Sequence, residues 1–264
     1  MPAIPPIDTN RLAAANVAAR IEHFEEISST QTRARECAGD ADCPLPLLVL
    51  ADRQTAGRGR QGNTWWTGAG SLAFSLLFDP AMLGGARRLE PRVALAAGVA
   101  IVDAVSPRLP EHRVGLHWPN DVYVGSGKLA GVLVEVLADG RHILGIGVNS
   151  NNSAADAPPE MRSQVATLRD LSGQAHDQTQ LSIDLLDCVT TRLRELWAND
   201  PRLLGSFDAL CLQHDEALTL YLGERAVAGR CVGIGPDGAL ILDTQEGVQR
   251  FHAGTLRPAL LPRQ

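Results

Sequence analysis

Asp52-Arg53-Gln54-Thr55-Ala56-Gly57-Arg58-Gly59-Arg60-Gln61-Gly62 is the stretch on which the reading of the whole chain turns. An apolar run, residues 47–51, leads into it, and Trp65-Trp66 closes it. Arg53, Arg58 and Arg60 alternate here with Gly57, Gly59 and Gly62. Glycine lets a backbone pass close to a ligand and adopt positive φ. Arginine presents a planar fork of donors that matches carboxylate and phosphate. The combination reads as a mobile anion-binding loop at the end of a buried strand. A solvated basic turn has the same composition, and the stretch alone leaves both open.

The rest of the chain narrows the classes. Its 264 residues fit one large domain, or a main domain with a small appendage. With 45% hydrophobic and 20% charged residues it can build a sizeable core. A net charge of -6 argues against a general nucleic-acid binder, though not against a local cationic pocket. Cys37, Cys43, Cys188, Cys211 and Cys231 are odd in number and form no Cys-x-x-Cys pair. A disulfide framework or zinc site is not expected, and a reducing cytoplasm is. No secretory pattern opens the chain, and no apolar run has the length of a membrane span.

Periodicity supplies the elements. Residues 9–20 are Ala-rich and predict a helix capped by Thr9 or Asn10. Residues 21–27 and 47–51 predict strands, with a helix over 30–38 that opens on the hydroxyls of Ser28, Ser29 and Thr30. Residues 71–78 predict a strand. Residues 89–105 predict a helix with one packed face, Pro91 falling in its first turn. Short strands over 114–118 and 122–124 flank Pro119-Asn120-Asp121, and runs 129–137 and 142–148 form a hairpin. A polar loop over 149–159 precedes helices over 181–197 and after Pro201. From about Gln213 the pattern changes to short strands over 218–222, 225–234, 240–242 and 249–251, a small all-β module.

Further stretches carry chemistry. Ser29-Thr30-Gln31 can contact a small polar group or simply cap a helix. Lys128 opens an apolar strand, so its ammonium reaches either a pocket at the strand end or solvent. Asp121 can hold a metal or a donor, or serve the turn. Gly145-Ile146-Gly147-Val148-Asn149 ends a strand. Gly125-Ser126-Gly127-Lys128 imitates part of a phosphate-binding P-loop, but Leu129 stands where Ser or Thr belongs, so that reading fails.

Taken together, Gly57-Arg58-Gly59-Arg60-Gln61-Gly62 with Trp65, Trp118-Pro119-Asn120-Asp121, Lys128-Leu129-Ala130-Gly131 and Gly145 to Asn149 resemble the biotin–protein ligase family, over residues 24 to the C-terminus. The resemblance implies an α+β fold: a mixed, mainly antiparallel sheet with helices on one face (1–212), then an SH3-like β-barrel (213–264). It implies a ligase that joins biotin to ATP, with Mg2+, as biotinyl-5′-adenylate and passes biotin to a lysine of a carboxyl carrier protein. No permanently bound cofactor, metal-ligand set, DNA or membrane is expected, and a homodimer through sheet edges is open. Carried over residue by residue, Lys128 would meet the biotin carboxylate and α-phosphate, and Arg58 and Arg60 would pack over the adenylate. Ser29, Thr30, Gln31, Gln54, Gly57 and Gly131 would line the biotin pocket. Trp65 would cover the adenine side, Asn149 would lie near the nucleotide, and Asp121 would serve a metal or the attacking amine.

Departures from the family pattern are Gln31 for Asn, His117 for a basic residue and Thr67-Gly68 for Ser-Pro. About twenty residues precede the first core strand, too few for the winged helix of the family's repressors, so no repressor role is expected. A lipoate or octanoate ligase is the runner-up, disfavoured by the Gly-Arg-Gly-Arg-Gln-Gly loop. A silent biotin-binding protein is disfavoured by Arg58, Arg60 and Lys128.

Overall fold

The computed structural model describes residues 5–258. Its larger sheet has seven strands: β1 (Arg20–Ile27), β2 (Leu47–Gln54), β3 (Leu72–Phe78), β4 (Val114–His117), β5 (Asp121–Val124), β6 (Gly127–Val136) and β7 (His142–Val148). They lie in the order β1-β2-β3-β7-β6-β5-β4. The β1–β2 pair is parallel and every other pair antiparallel. Parallel neighbours need a crossover, and α2 (Thr30–Cys37) supplies it.

Side chains alternate across a strand, so each strand serves two faces. Leu48, Leu50, Phe74 and Leu76 join the main core. Leu47, Val49, Leu77 and Ile143 instead meet Ala34 and Cys37 of α2. Helices therefore cover both faces, not the single face expected: strands this apolar on both sides need a second cover.

The main core is built around α3 (Val93–Val105). Eleven of its thirteen residues are buried, so it is a core helix rather than one with a single packed face. Its small residues permit this. A Cβ at Gly98 would stand 2.7 Å from Leu116 Cδ2, so the glycine lets the helix approach β4 without displacing that side chain. It starts at Val93, and Leu89, expected inside it, is 69% exposed. Beyond it pack α5 (Gln178–Trp197) and α6 (Pro201–Ala209), with Leu181, Leu185, Leu193, Leu203 and Phe207 buried. The N-terminal helix α1 (Thr9–Ala14) is shorter than predicted. Asp8, not Thr9 or Asn10, caps it by accepting from the N–H groups of Asn10 and Arg11. It stops where Asn16 takes φ 54° and the chain turns into β1.

The expected polar loop after β7 is an interior feature. Asn149, Ser150, Asn151 and Asn152 are all buried. Side chains replace secondary structure as partners: Ser150 Oγ donates to Gly70 O at 2.8 Å, and Asn151 Nδ2 to His176 O at 2.8 Å. Thr167 then caps α4 (Leu168–Ser172), which periodicity did not reveal.

The C-terminal part is a five-stranded antiparallel sheet: β8 (Ala217–Leu222), β9 (Arg225–Ile234), β10 (Leu240–Thr244), β11 (Gly247–Phe251) and β12 (Thr255–Pro258), in the order β11-β10-β9-β8-β12. Strand β12 was not predicted. Leu218 and Leu220 of β8, Ile234 of β9 and Leu240 of β10 are buried and run into the main core. Trp118 ties the two parts: its backbone N–H donates to Gln213 Oε1 at 2.7 Å, its indole N–H to Gly238 O at 3.0 Å. Among the described residues, no helix is long and apolar enough to cross a membrane.

Candidate active site

A cleft of about 240 Å³ opens on the α2 side of the sheet, between the start of α2, the Arg-Gly loop, the β4–β5 corner and the start of β12. Its floor is backbone. Gly131 pairs with Gly147 and Leu133 with Gly145 across β6 and β7, which puts three glycines on one face. A Cβ at Gly145 would stand 2.6 Å from Gln31 Oε1, and one at Gly147 2.4 Å from the Trp65 indole. At Gly131 it would meet Lys128 Cε at 3.1 Å. Glycine thus allows Gln31, Trp65 and Lys128 to lie flat on the sheet.

One end of the cleft is neutral and closely hydrogen-bonded. Thr30 N–H donates to Gln54 Oε1 at 2.9 Å, and the Thr30 and Ser75 hydroxyls share a bond of 2.9 Å. Ser75 Oγ donates to Gln31 Oε1 at 2.9 Å, and Gln31 Nε2 to Ile143 O at 3.3 Å. Ser29 is the N-cap residue of α2, yet its hydroxyl does not cap the helix. It is buried without a hydrogen-bond partner.

The other end is charged. Lys128 Nζ lies 2.8 Å from Asp121 Oδ2 and 5.4 Å from the Trp65 ring centroid, in cation–π range. Asp121 Oδ1 is buried and unpartnered. Arg60 Nη1 donates to Asn120 Oδ1 at 2.9 Å, and Asn120 is fixed by its own bond to Val132 O. Burial holds the Arg60 guanidinium below its ordinary range, against the pull of Asp121. His117 stacks on Tyr123 with centroids 4.5 Å apart. Burial lowers His117, Asp121 opposing it, so the imidazole is neutral near pH 7. Burial also pushes the Tyr123 hydroxyl up to about 12. No permanent charge stands at position 117.

The predicted residues mostly converge. Ser29, Thr30, Gln31, Gln54, Arg58, Arg60, Trp65, Asp121, Lys128 and Gly131 line the cleft. Gly57 and Asn149 stand behind its wall. Gly57 O accepts from Trp65 N–H at 2.9 Å, and a Cβ there would strike Trp65 O at 2.6 Å. Asn149 Nδ2 donates to Lys128 O at 3.0 Å, so it braces the lysine's strand instead of facing the cleft. The two loop arginines also diverge: Arg58 pairs with Glu135 at 3.5 Å, far along β6 from Lys128. Ser75, Asn120, Tyr123 and Thr255 were missed as site residues. Ser75, the polar residue within apolar β3, was a signal in plain view. Nothing in sequence marks Thr255, whose Oγ1 donates to Gln61 Oε1 at 2.8 Å and ties the loop to β12. Among the described residues, no cluster of three His, Cys, Asp or Glu side chains could hold a metal ion.

Comparison with known proteins bears on the family and the fold. A family profile described as the biotin/lipoate A/B protein ligase family matches residues 23–151. The bifunctional ligase/repressor BirA of Bacillus spizizenii is 30% identical over 241 residues, spanning 87% of this chain and 71% of that one. The biotin–[acetyl-CoA-carboxylase] ligase of Paracoccus denitrificans is 37% identical over 223 residues, spanning 78% and 87%. A solved biotin protein ligase from Aquifex aeolicus, in complex with biotin and ATP, superposes with a TM-score of 0.80 at 29% identity. It covers 91% of this chain and 100% of that one.

Proposed function

The chain belongs to the biotin/lipoate A/B protein ligase family, and on that premise we propose that it is a biotin–[acetyl-CoA-carboxylase] ligase. It joins biotin and MgATP as biotinyl-5′-adenylate, then passes biotin to one lysine of a carboxyl carrier protein. The observation that carries this reading is the division of one cleft into a neutral, hydrogen-bonding end and an end where Lys128 faces Asp121 at 2.8 Å.

Adenylation brings a carboxylate against an α-phosphate, and fixed cations must offset that repulsion. The ureido ring of biotin takes the end lined by Ser29, Thr30, Gln31 and Gln54, where the unpartnered Ser29 hydroxyl meets a polar group. Its carboxylate then lies toward Lys128. The carboxylate oxygen bonds to the α-phosphorus as the bond to pyrophosphate breaks. Lys128 shifts from Asp121 to the developing negative charge, and Arg60 adds a second cation. Asp121 Oδ1, an oxygen without a protein partner, suits the magnesium that accompanies ATP. In the second step the carrier amine attacks the acyl carbon and AMP leaves, with Asp121 positioned to accept a proton from the amine. Trp65 covers the adenine side, and Asn149 acts by holding the Lys128 backbone. Residues 1–212 make the catalytic part and 213–264 an SH3-like part, which extend at both ends beyond the described residues. The five free thiols suit a reducing cytoplasm.

The test is transfer of labelled biotin to a carrier domain, with pyrophosphate measured in parallel. Biotin- and MgATP-dependent release followed by a single labelled carrier lysine is expected. A carrier labelled by lipoate and not by biotin, or biotin binding without pyrophosphate, overturns the reading.

A further inference from the structure

The two arginines of the Gly57–Gly62 loop are held on opposite banks of the cleft. Arg60 reaches Asn120 at the β4–β5 corner, beside Asp121 and Lys128. Arg58 turns the other way, to Glu135 near the far end of β6. Glu135 pairs in register with Ile143, which packs against α2, so the carboxylate rises on the same face as the cleft floor. Its side chain is only 14% exposed, and a carboxylate so covered needs counter-charge. Arg35 of α2 is its nearer ion-pair partner, and Arg58 its second at 3.5 Å. Arg35 alone neutralises Glu135, so Arg58 gives the cluster a net positive charge and contributes an attachment point as well. The backbone fits that role: Arg58 bridges Thr64, and Gly57 O accepts from Trp65 N–H, so Arg58 sits in the two-stranded stem of the loop. Arg60 starts the turn at its tip.

We propose that Glu135 is a positioning residue for the loop: by pinning the Arg58 stem to β6 and α2, it sets Arg60 over the Lys128–Asp121 pair and keeps the acyl adenylate from leaving. Arg58 is then an anchor, and the cation that meets the phosphate is Arg60. A lid anchored at its stem can move at its tip without losing its place, which a loop of six residues from Gly57 to Gly62 needs.

This rests on the ligase reading, and one experiment separates the two. Free biotinyl-adenylate and labelled carrier are measured together for the parent, Glu135→Gln, Arg58→Gln and the double variant. In Glu135→Gln the ratio of free adenylate to labelled carrier rises about two- to fivefold, on the scale of one partly exposed ion pair. First-turnover pyrophosphate release falls by a smaller factor than retention does, because Lys128 keeps its place and only Arg60 shifts. Arg58→Gln reproduces the leak, the double variant leaks no more than either single one, and Glu135→Asp restores part of the retention. A parent-level ratio in Glu135→Gln, or leaks that multiply in the double variant, overturns the proposal. If Glu135→Gln melts early or fails to fold, the exposed Arg58→Gln decides the matter by the same ratio. A parent that releases no pyrophosphate from biotin and MgATP sinks the ligase reading itself.

Discussion

The two ends of the cleft solve opposite problems. At the neutral end, Thr30, Gln31, Gln54 and Ser75 already satisfy one another, and Ser29 alone is left without a partner. Such a network is rigid, and in the proposed reading it recognises biotin by fit. At the charged end the partners are provisional. Lys128 is held by Asp121, the other Asp121 oxygen has no partner, and a half-buried Arg60 is held by one amide. A group that must change partners during a reaction cannot be locked beforehand. One end is built to choose and the other to rearrange.

The largest expected effect tests the rearranging end. Lys128→Ala should lower adenylate formation by about a thousandfold or more, as loss of a main charge-stabilising donor does. Its melting temperature should stay close to the parent's, because a partly exposed ion pair adds little stability. Pyrophosphate release and a thermal melt check both, and parent-like turnover would refute the assignment. Next come the floor glycines. Gly145→Ala intrudes on Gln31 and should raise KM for biotin about tenfold with KM for ATP nearly unchanged, whereas Gly147→Ala intrudes on Trp65 and should do the reverse. Equal shifts in both constants for both variants would erase the distinction between the ends.

A smaller effect concerns pH. Burial holds His117, His142 and His176 below their ordinary range. The unfolded chain therefore takes up protons before the folded one as pH falls through the usual histidine value. Stability is lost over that window and regained as pH rises. The melting temperature should fall between pH 7 and pH 5, and by less in His117→Gln; an identical fall would show His117 titrating freely. The smallest effect belongs to the link between loop and C-terminal sheet. Thr255→Val removes one hydrogen bond to Gln61 and should raise KM for ATP about two- to threefold. Unchanged ATP kinetics would leave that contact without a catalytic share.

Much of this was legible in the sequence. The near-continuous apolar runs at residues 47–51, 71–78 and 142–148 mark strands because both faces of the sheet are covered. The Arg-Gly loop, Asp121 and Lys128 stand out because charge and glycine interrupt apolar runs. What escaped notice depends on tertiary partners. Asn149 to Asn152 read as a surface loop because polar composition suggests solvent, yet Gly70 and His176 satisfy them inside. Asn149 and Gly57 carry motif positions but act through a neighbour's backbone. Strand β12 is four residues long and gains its meaning from β8, about thirty-five residues away, which no local pattern reports.

The glycine floor has a consequence outside catalysis. Along Gly131, Gly145 and Gly147 the sheet offers backbone where other strands offer side chains, and in the proposed reading biotin packs over this floor together with Gln31, Trp65 and Lys128, as a surrogate core residue. Anything that binds only the folded chain stabilises it by mass action, about 2.7 kcal/mol at a hundredfold excess over Kd. A biotin-loaded chain should then resist proteolysis longer than an empty one, and protease digestion with and without biotin measures that dependence.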